Sequence, residues 1–199
     1  RKEFSSTDGV KSFIGQLGDE YVIKFDGLMG GKGVRVSGEH LKNINEGLDY
    51  ANEIVEGGGK FLIEEKLVGE EFSLMSFVDG KTCKHMPVVQ DHKRAYEGDT
   101  GPNTGGMGTY SFENHSLPFL SEKNVKEAQE TNELVAKQLF KQTGIPYVGV
   151  LYGGFMLTKS GIKVIEYNAR FGDPEAMNVL SILKSDFLSI CMSVVDGNL

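Results

Sequence analysis

EEFSLMSFVDGKTCKHMPVVQ (residues 70–90) breaks at Asp79-Gly80, the favoured pair for a two-residue turn between antiparallel strands. Both faces of the first run are apolar. Phe72, Leu74 and Val78 occupy one face, and Met75 and Phe77 the other. A strand exposed to water on one side would alternate apolar with polar residues, so this one is covered on both sides. The segment therefore predicts an antiparallel hairpin inside a sheet with helices packed on it.

The neighbouring segments extend that picture. Upstream, FLIEEKL (61–67), VRV (34–36) and YVIKFD (21–26) read as strands. Leu41, Ile44, Leu48, Ala51 and Val55 form one stripe of a helix over 39–55. SSTDGVKSFIGQL predicts a short helix opened by a Ser/Thr/Asp cap and closed by Gly18, with Val10, Phe13, Ile14 and Leu17 on one face. Downstream, a helix over 122–142 carries Val125, Ala128, Val135 and Leu139, with polar Asn132 interrupting the stripe. VGVLYGGFMLT (148–158) and IKVIEYN (162–168) form a second hairpin around Lys159-Ser160-Gly161. Two helical patterns close the chain, at about 174–183 and 186–195. Hairpins alternating with helices define an α+β fold with antiparallel sheets packed against helices. The expected division is a small lobe, 1–67, and a larger one, 68–199.

Composition narrows the function. Lys+Arg of 21 against Asp+Glu of 28 gives a net charge of −7 over 199 residues. That disfavours a nucleic-acid or anionic-membrane binder, which needs a positive field. Two distant cysteines, Cys83 and Cys191, make neither a disulfide framework nor a zinc site, so a reducing, cytoplasmic setting is expected. No run approaches the ~20 apolar residues of a membrane span. RKEFSSTDGV lacks an apolar signal core and an initiator Met, as expected of a piece of a longer polypeptide. Glycine is the outlier, with 26 residues concentrated at 27–33, 57–59, 98–108 and 149–154.

Four stretches can carry chemistry. GLMGGKG, Gly27 to Gly33, follows the strand that holds Lys24. It is either an ordinary hairpin or a flap whose N–H groups cradle phosphate, with Lys24 and Lys32 adding charge. It is not a phosphate loop of the Walker type, because Gly33 rather than Ser or Thr follows Lys32. In VIEYNARFGDPE (164–175), Glu166 and Asn168 share a strand face, with Cα atoms about 6.5–7 Å apart. Ile162 and Val164 lead in on that same face, and Ile165 and Tyr167 turn away. Two hard oxygen donors with a single charge suit Mg²⁺ completed by phosphate oxygens. Arg170 follows, and Asp173-Pro174 turns the chain. The bland alternative is a polar strand end.

In FLIEEKLVGEEFS (61–73), Leu67 and Val68 could line an adenine slot and Glu71 could take a ribose hydroxyl. Taken singly, most of Glu64, Glu65, Glu70 and Glu71 better suit a solvated strand edge. QDHKRAYEGDTGPNTGGMGTY (90–110) clusters Asp91, His92, Lys93 and Arg94, then runs uncharged from Gly101 to Gly108. Asp99 and Asn103 can orient an amine or hydroxyl, and Gly106 lies in an open glycine run. No Ser, Cys or His nucleophile arrangement is visible, and His40, His85, His92 and His115 have no metal-pair spacing.

Taken in order, VIKFDGLMGGKGV, FLIEEKLVGEEFS, QDHKRAYEGDTGPNTGGMGTYS and VIEYNARFGDPE resemble the phosphoribosylamine–glycine ligase (glycinamide ribonucleotide synthetase) family of ATP-grasp enzymes. The resemblance covers nearly the whole chain and corresponds to the two ATP-grasp lobes. The family's flanking N- and C-terminal domains have no counterpart in it. Leu28-Met29 in the flap and Ala169 depart slightly from the family pattern.

The resemblance implies ATP with Mg²⁺ (or Mn²⁺) as cofactors, and glycine and 5-phosphoribosylamine as small-molecule substrates. The implied reaction passes through a glycyl phosphate. Lys24 and the flap, Gly30, Gly31, Lys32 and Gly33, would hold the phosphates. Glu64, Glu65 and Leu67 would form the adenine hinge, Glu71 would bind ribose, and Glu166 and Asn168 would bind the metal. Asp91, Lys93 and Arg170 would stand at the reacting groups. His92, Arg94, Asp99, Asn103, Gly106 and Asp173 would line the acceptor side. Two other readings remain open, namely an ATP-grasp ligase for another carboxylate and amine, and a nucleotide-binding fragment without turnover.

Overall fold

The computed structural model describes residues 1–199 except Asp19, Gly30, Gly31 and Asp99. Among the described residues, internal contacts divide the chain into two compact units, Arg1–Leu67 and Val68–Leu199.

The first unit runs β1 (Lys2–Phe4), α1 (Val10–Leu17), β2 (Tyr21–Phe25), β3 (Val34–Val36), α2 (Ile44–Glu56) and β4 (Phe61–Glu65). Its antiparallel sheet has the order β1-β4-β2-β3. Tyr21, Ile23, Phe61 and Ile63 bury one face of that sheet with Val10 and Ile14 of α1 and Ala51 and Ile54 of α2. Lys24 and Glu64, of opposite strand parity, are left on the other face. Two local expectations differ. Gly9, not Ser, Thr or Asp, caps α1 with φ 76°, because Ser6 and Asp8 hydrogen-bond each other in their own turn. Helix α2 starts at Ile44 rather than near 39. The Asn43 side chain accepts from Asn45 N and Glu46 N there, and Leu41 is buried outside the helix, bridged to Ser37.

The second unit runs β5 (Gly69–Asp79), β6 (Cys83–His85), β7 (Gln90–Asp91), β8 (Arg94–Tyr96), β9 (Thr100–Asn103), β10 (Thr109–Tyr110), α3 (Glu122–Thr143), β11 (Val148–Thr158), β12 (Gly161–Asn168), α4 (Glu175–Ser181) and α5 (Phe187–Asp196). Its main sheet is antiparallel in the order β12-β11-β5-β6, and β5 pairs with β11 along its whole length. Phe72, Leu74 and Phe155 pack on the α3 side, against Ala128. Met75, Phe77 and Tyr152 pack on the opposite side with Val179 of α4 and Val194 of α5. Every residue from Phe72 to Asp79 is buried, as a strand covered on both faces requires. Gly80-Lys81 form the tip of the first hairpin, where the Asp79 carboxylate accepts from Lys81 N and Thr82 N.

The polar stretch 90–110, read from sequence as a loop, is two small antiparallel ribbons, β7–β10 and β8–β9. Asn132, read as an interruption of the α3 stripe, is fully buried. Helix α3 begins at a reciprocal cap in which Ser121 Oγ accepts from Asn124 N and Asn124 Oδ1 accepts from Ser121 N. Substituting Ser121→Ala is expected to cost about 1 kcal/mol, measurable as a lower urea midpoint.

A β-bulge changes the reading of β12. Gly154 pairs with Glu166 but Phe155 pairs with Val164, so Ile165 is an extra residue. Strand parity reverses there. Ile162 and Tyr167, five residues apart, both pack in the cluster under α3. Glu166 and Asn168 consequently face away from that cluster, on the opposite face from Ile162 rather than the same one.

Candidate functional site

In the second unit the register sets Ser73, Gly154 and Glu166 in one row across β5, β11 and β12, and Met75, Tyr152 and Asn168 in the next. Gly154 contributes no side chain, which opens a pocket over the middle of the row. Glu71, Asp91, Lys93, Tyr152, Glu166 and Glu175 supply its polar wall, with Phe72, Ser73 and Ile165. Lys93 Nζ binds Glu71 Oε2 at 2.9 Å. Asn168 Nδ2 donates to Glu166 Oε1 at 3.1 Å, so Oδ1 of Asn168 is the atom available to a cation. Tyr152 donates its hydroxyl to Glu175 Oε1 at 2.7 Å, and Glu175 is only 3% exposed.

The electrostatics follow from this crowding. Burial, reinforced by Glu175 and only partly offset by Lys93 and His92, pushes the Asp91 carboxyl up to about 6. Among the described residues, Asp91 Oδ1 is buried without a hydrogen-bond partner. Burial acts to lower the Lys93 pKa, but Glu71, Asp91 and Glu166 outweigh it and hold the ammonium above the ordinary lysine value. The site thus presents a firmly charged cation beside a carboxylate with an unsatisfied oxygen.

The ribbons shape the rim. His92 stacks on Tyr110 at 5.6 Å with its rings 10° apart, and Tyr110 donates to Gln90 Oε1 at 2.6 Å. Thr104 N donates to Lys93 O, and Met107 N to His92 O, each at 2.7 Å. These bonds fold 104–107 back onto 92–93. Gly106 has φ 122°, and a side chain there would collide with Pro174. Only glycine tolerates both conditions.

The structure gathers Glu71, Asp91, Lys93, Glu166 and Asn168 in one region. Arg170 is exposed and donates to the neighbouring Phe171 O. Arg94 donates to Gly101 O and pairs in register with exposed Asn103. Asp173 is exposed beside Pro174. Asp99 lies outside the described residues. Sequence reasoning gave Tyr152 and Glu175 no role. Glu175 stood inside a quoted motif, but its pairing with Tyr152 crosses 23 residues and has no local signal.

In the first unit, Lys24 Nζ binds Glu64 Oε2 at 2.8 Å, with both side chains 22% exposed. Glu65 is exposed and Leu67 half-buried. At the edge of β2, Phe25 N donates to Gly33 O at 2.9 Å, and Lys32 N donates to Met29 O at 3.0 Å. Tyr50 also donates to Gly33 O. Leu28 is fully exposed. Gly30 and Gly31 lie outside the described residues.

The Glu166–Asn168 donor set fits Mg²⁺. It offers hard oxygens on one face with one negative charge, and among the described residues no cluster of three His, Cys, Asp or Glu competes for a metal.

The antiparallel α+β architecture is that of the ATP-grasp proteins. The chain aligns over 100% of its length, and 50% of the other, with the crystal structure of phosphoribosylamine–glycine ligase from Thermotoga maritima, at 30% identity and a TM-score of 0.82. It belongs to the phosphoribosylglycinamide synthetase ATP-grasp (A) domain family, whose model matches residues 1–176. It is 57% identical over 196 residues to phosphoribosylamine–glycine ligase from Methanocaldococcus jannaschii, and 54% over 198 residues to that from Methanococcus vannielii. Each alignment covers 96% of this chain and 44% of the relative, so the chain spans less than half the length of these proteins.

Proposed function

We propose that the chain is the ATP-grasp portion of a ligase that joins glycine to 5-phosphoribosylamine at the expense of ATP. The observation that carries this reading is the Glu166–Asn168 pair, set in one pocket region with the Lys93–Glu71 ion pair and Asp91. The relatives that are phosphoribosylamine–glycine ligases support the choice of substrates.

In this reading a glycine carboxylate oxygen attacks the γ-phosphorus, the bond to ADP breaks, and the amine nitrogen then displaces phosphate from the glycyl phosphate. Bound Mg²⁺, or Mn²⁺, would neutralise phosphate charge against Glu166 and Asn168. Lys93 would hold an anionic oxygen of the substrate or the departing phosphate. Asp91, ionised at neutral pH and with one oxygen unpartnered, is suited to accept the proton that the amine releases. Lys24, Lys32 and the flap glycines Gly30, Gly31 and Gly33 would hold the phosphates. Glu64, Glu65 and Leu67 would take adenine and Glu71 the ribose. His92, Arg94, Asp99, Asn103, Gly106, Arg170 and Asp173 would frame the acceptors. The acyl phosphate hydrolyses readily, so a flap that excludes water has a chemical purpose.

The net charge of −7 fits small-molecule substrates rather than nucleic acid. Two free cysteines suit a cytoplasmic setting, and no helix among the described residues is long and apolar enough to cross a membrane.

Isothermal titration with Mg·ATP, followed by turnover assays with glycine and phosphoribosylamine, tests the proposal. Nucleotide binding without turnover would favour a second reading, a binding module, which the 44% coverage of the relatives makes worth separating. No nucleotide binding at all would defeat both. Lys24→Ala removes a charged phosphate contact worth about 1.5–3 kcal/mol. Nucleotide affinity is expected to fall roughly 10–100-fold. Unchanged affinity would remove Lys24 from the phosphate site.

A further inference from the structure

Asn132 is fully buried in the middle of α3, facing a sheet. A buried amide without partners is costly, and this one is fully engaged. Its Nδ2 donates to Leu74 O at 3.1 Å and to Ser76 Oγ at 2.9 Å, and its Oδ1 accepts from the Tyr167 hydroxyl at 3.0 Å. Behind Ser76, His85 Nδ1 lies 2.9 Å from Oγ, and Nε2 lies 3.5 Å from Glu133. A Cβ at Gly153 would fall 2.6 Å from Asn132 Oδ1, so the bare backbone there admits the amide to the sheet. The amide is therefore pinned from one side by β5 and presents its oxygen to β12.

Tyr167 is flanked by Glu166 and Asn168. Alternation along a strand means that fixing Tyr167 toward α3 turns both neighbours to the opposite face. The bulge makes this choice consequential. Val164 and Ile165 are both apolar, so these two positions do not by themselves decide which is the extra residue; the choice falls to the Glu166-Tyr167-Asn168 segment, where Tyr167 must stay inside and Glu166 outside. A slip would drive the Glu166 carboxylate into the Phe72–Phe155 cluster and turn Tyr167 outward.

We propose that Asn132 and Tyr167 are positioning residues for the cation site, their hydrogen bond holding β12 in the bulged register that aims Glu166 and Asn168 at the pocket. The inference rests on the reading of that pair as cation ligands.

Tyr167→Phe is the direct test. It keeps the ring, which sits edge-on to Phe155 at 6.3 Å, and removes only the hydroxyl. Titrations of the 199-residue chain with Mg·ATP, and with ATP in a chelator, give the two affinities to compare. Y167F is expected to bind Mg·ATP roughly tenfold more weakly, with metal-free affinity unchanged. Asn132→Ala should act in the same direction on the Mg²⁺ dependence, and the double variant should lose little more of it than one single variant, because both remove the Asn132–Tyr167 bond. Val125→Ala, which trims packing of the same helix, should lower Tm without changing the Mg²⁺ dependence. Wild-type Mg²⁺ dependence in Y167F, or fully additive losses in the double variant, would overturn the inference alone. A wild-type chain whose nucleotide affinity ignores Mg²⁺ would overturn the metal reading and this inference with it.

Discussion

Glu166→Gln is expected to weaken Mg·ATP binding on the order of 100-fold while leaving metal-free ATP affinity nearly unchanged. The substitution preserves shape and the acceptor for Asn168 Nδ2, which now binds Glu166 Oε1 at 3.1 Å. It removes the sole formal charge of the proposed Glu166–Asn168 ligand pair, and Mg²⁺ depends strongly on anionic oxygen. Exposed Glu166 carries little of the fold, so the melting temperature should barely move. Paired titrations with and without metal make the comparison internal. Equal weakening in both would assign Glu166 to nucleotide contact or to structure, and would remove the cation from this face of β12.

Asp91→Asn is expected to stabilise the Val68–Leu199 unit at pH 8 and to have little effect at pH 4 or below, while abolishing any turnover that needs a proton acceptor there. The folded chain holds the Asp91 proton up to about pH 6, against 3.8 for the ordinary carboxyl. Between those values folding takes up a proton, so this residue's contribution to stability falls as pH rises through the window. Above it the full penalty of an ionised carboxylate beside Glu175 is present, and Asn escapes it. After allowance for partial solvent access the gain is about 1–2 kcal/mol, or roughly 2–8 °C in Tm. Thermal melts at pH 4 and pH 8 check the sign. A stabilisation that is larger at pH 4 would contradict the described environment. A fully active D91N would discard Asp91 as the proton acceptor.

Stabilisation on loss of a carboxylate is the usual mark of a group retained for function rather than for the fold. Lys93 illustrates the same point from the other side. Its ammonium is crowded by Glu71, Asp91 and Glu166, and under the proposed function a cation held at Glu166 would relieve that excess of negative charge. The proposed metal–phosphate complex would bring positive charge near Glu166 and anionic oxygens near Lys93.

Much of the framework was legible from short stretches. Asp79-Gly80 and Lys159-Ser160-Gly161 marked both hairpins because turn chemistry is a property of neighbouring residues, although the two-residue tips are Gly80-Lys81 and Lys159-Ser160. The double apolar pattern of 72–78 shows a strand covered on two faces because burial acts directly on residue type. The motif carrying Glu166 and Asn168 was visible because two positions apart on a strand means one face. The direction of that face was not visible. Ile162 and Val164 suggested one side, and the bulge at Ile165 chose the other. Asn132 looked like a flaw in a helix stripe because its partners, Leu74, Ser76 and Tyr167, lie 35 to 58 residues away.

The amino-acid sequence by itself determined the hairpins, the antiparallel α+β class and the shared strand face of Glu166 and Asn168, because each depends on residue type and short-range backbone geometry. The tertiary structure alone decided which way Glu166 and Asn168 point, which carboxylate lies beside which, and how far the Asp91 proton is held. Those depend on strand register and on burial, and both are set by side chains distant in the chain that meet only when the sheet closes against α3 and α4.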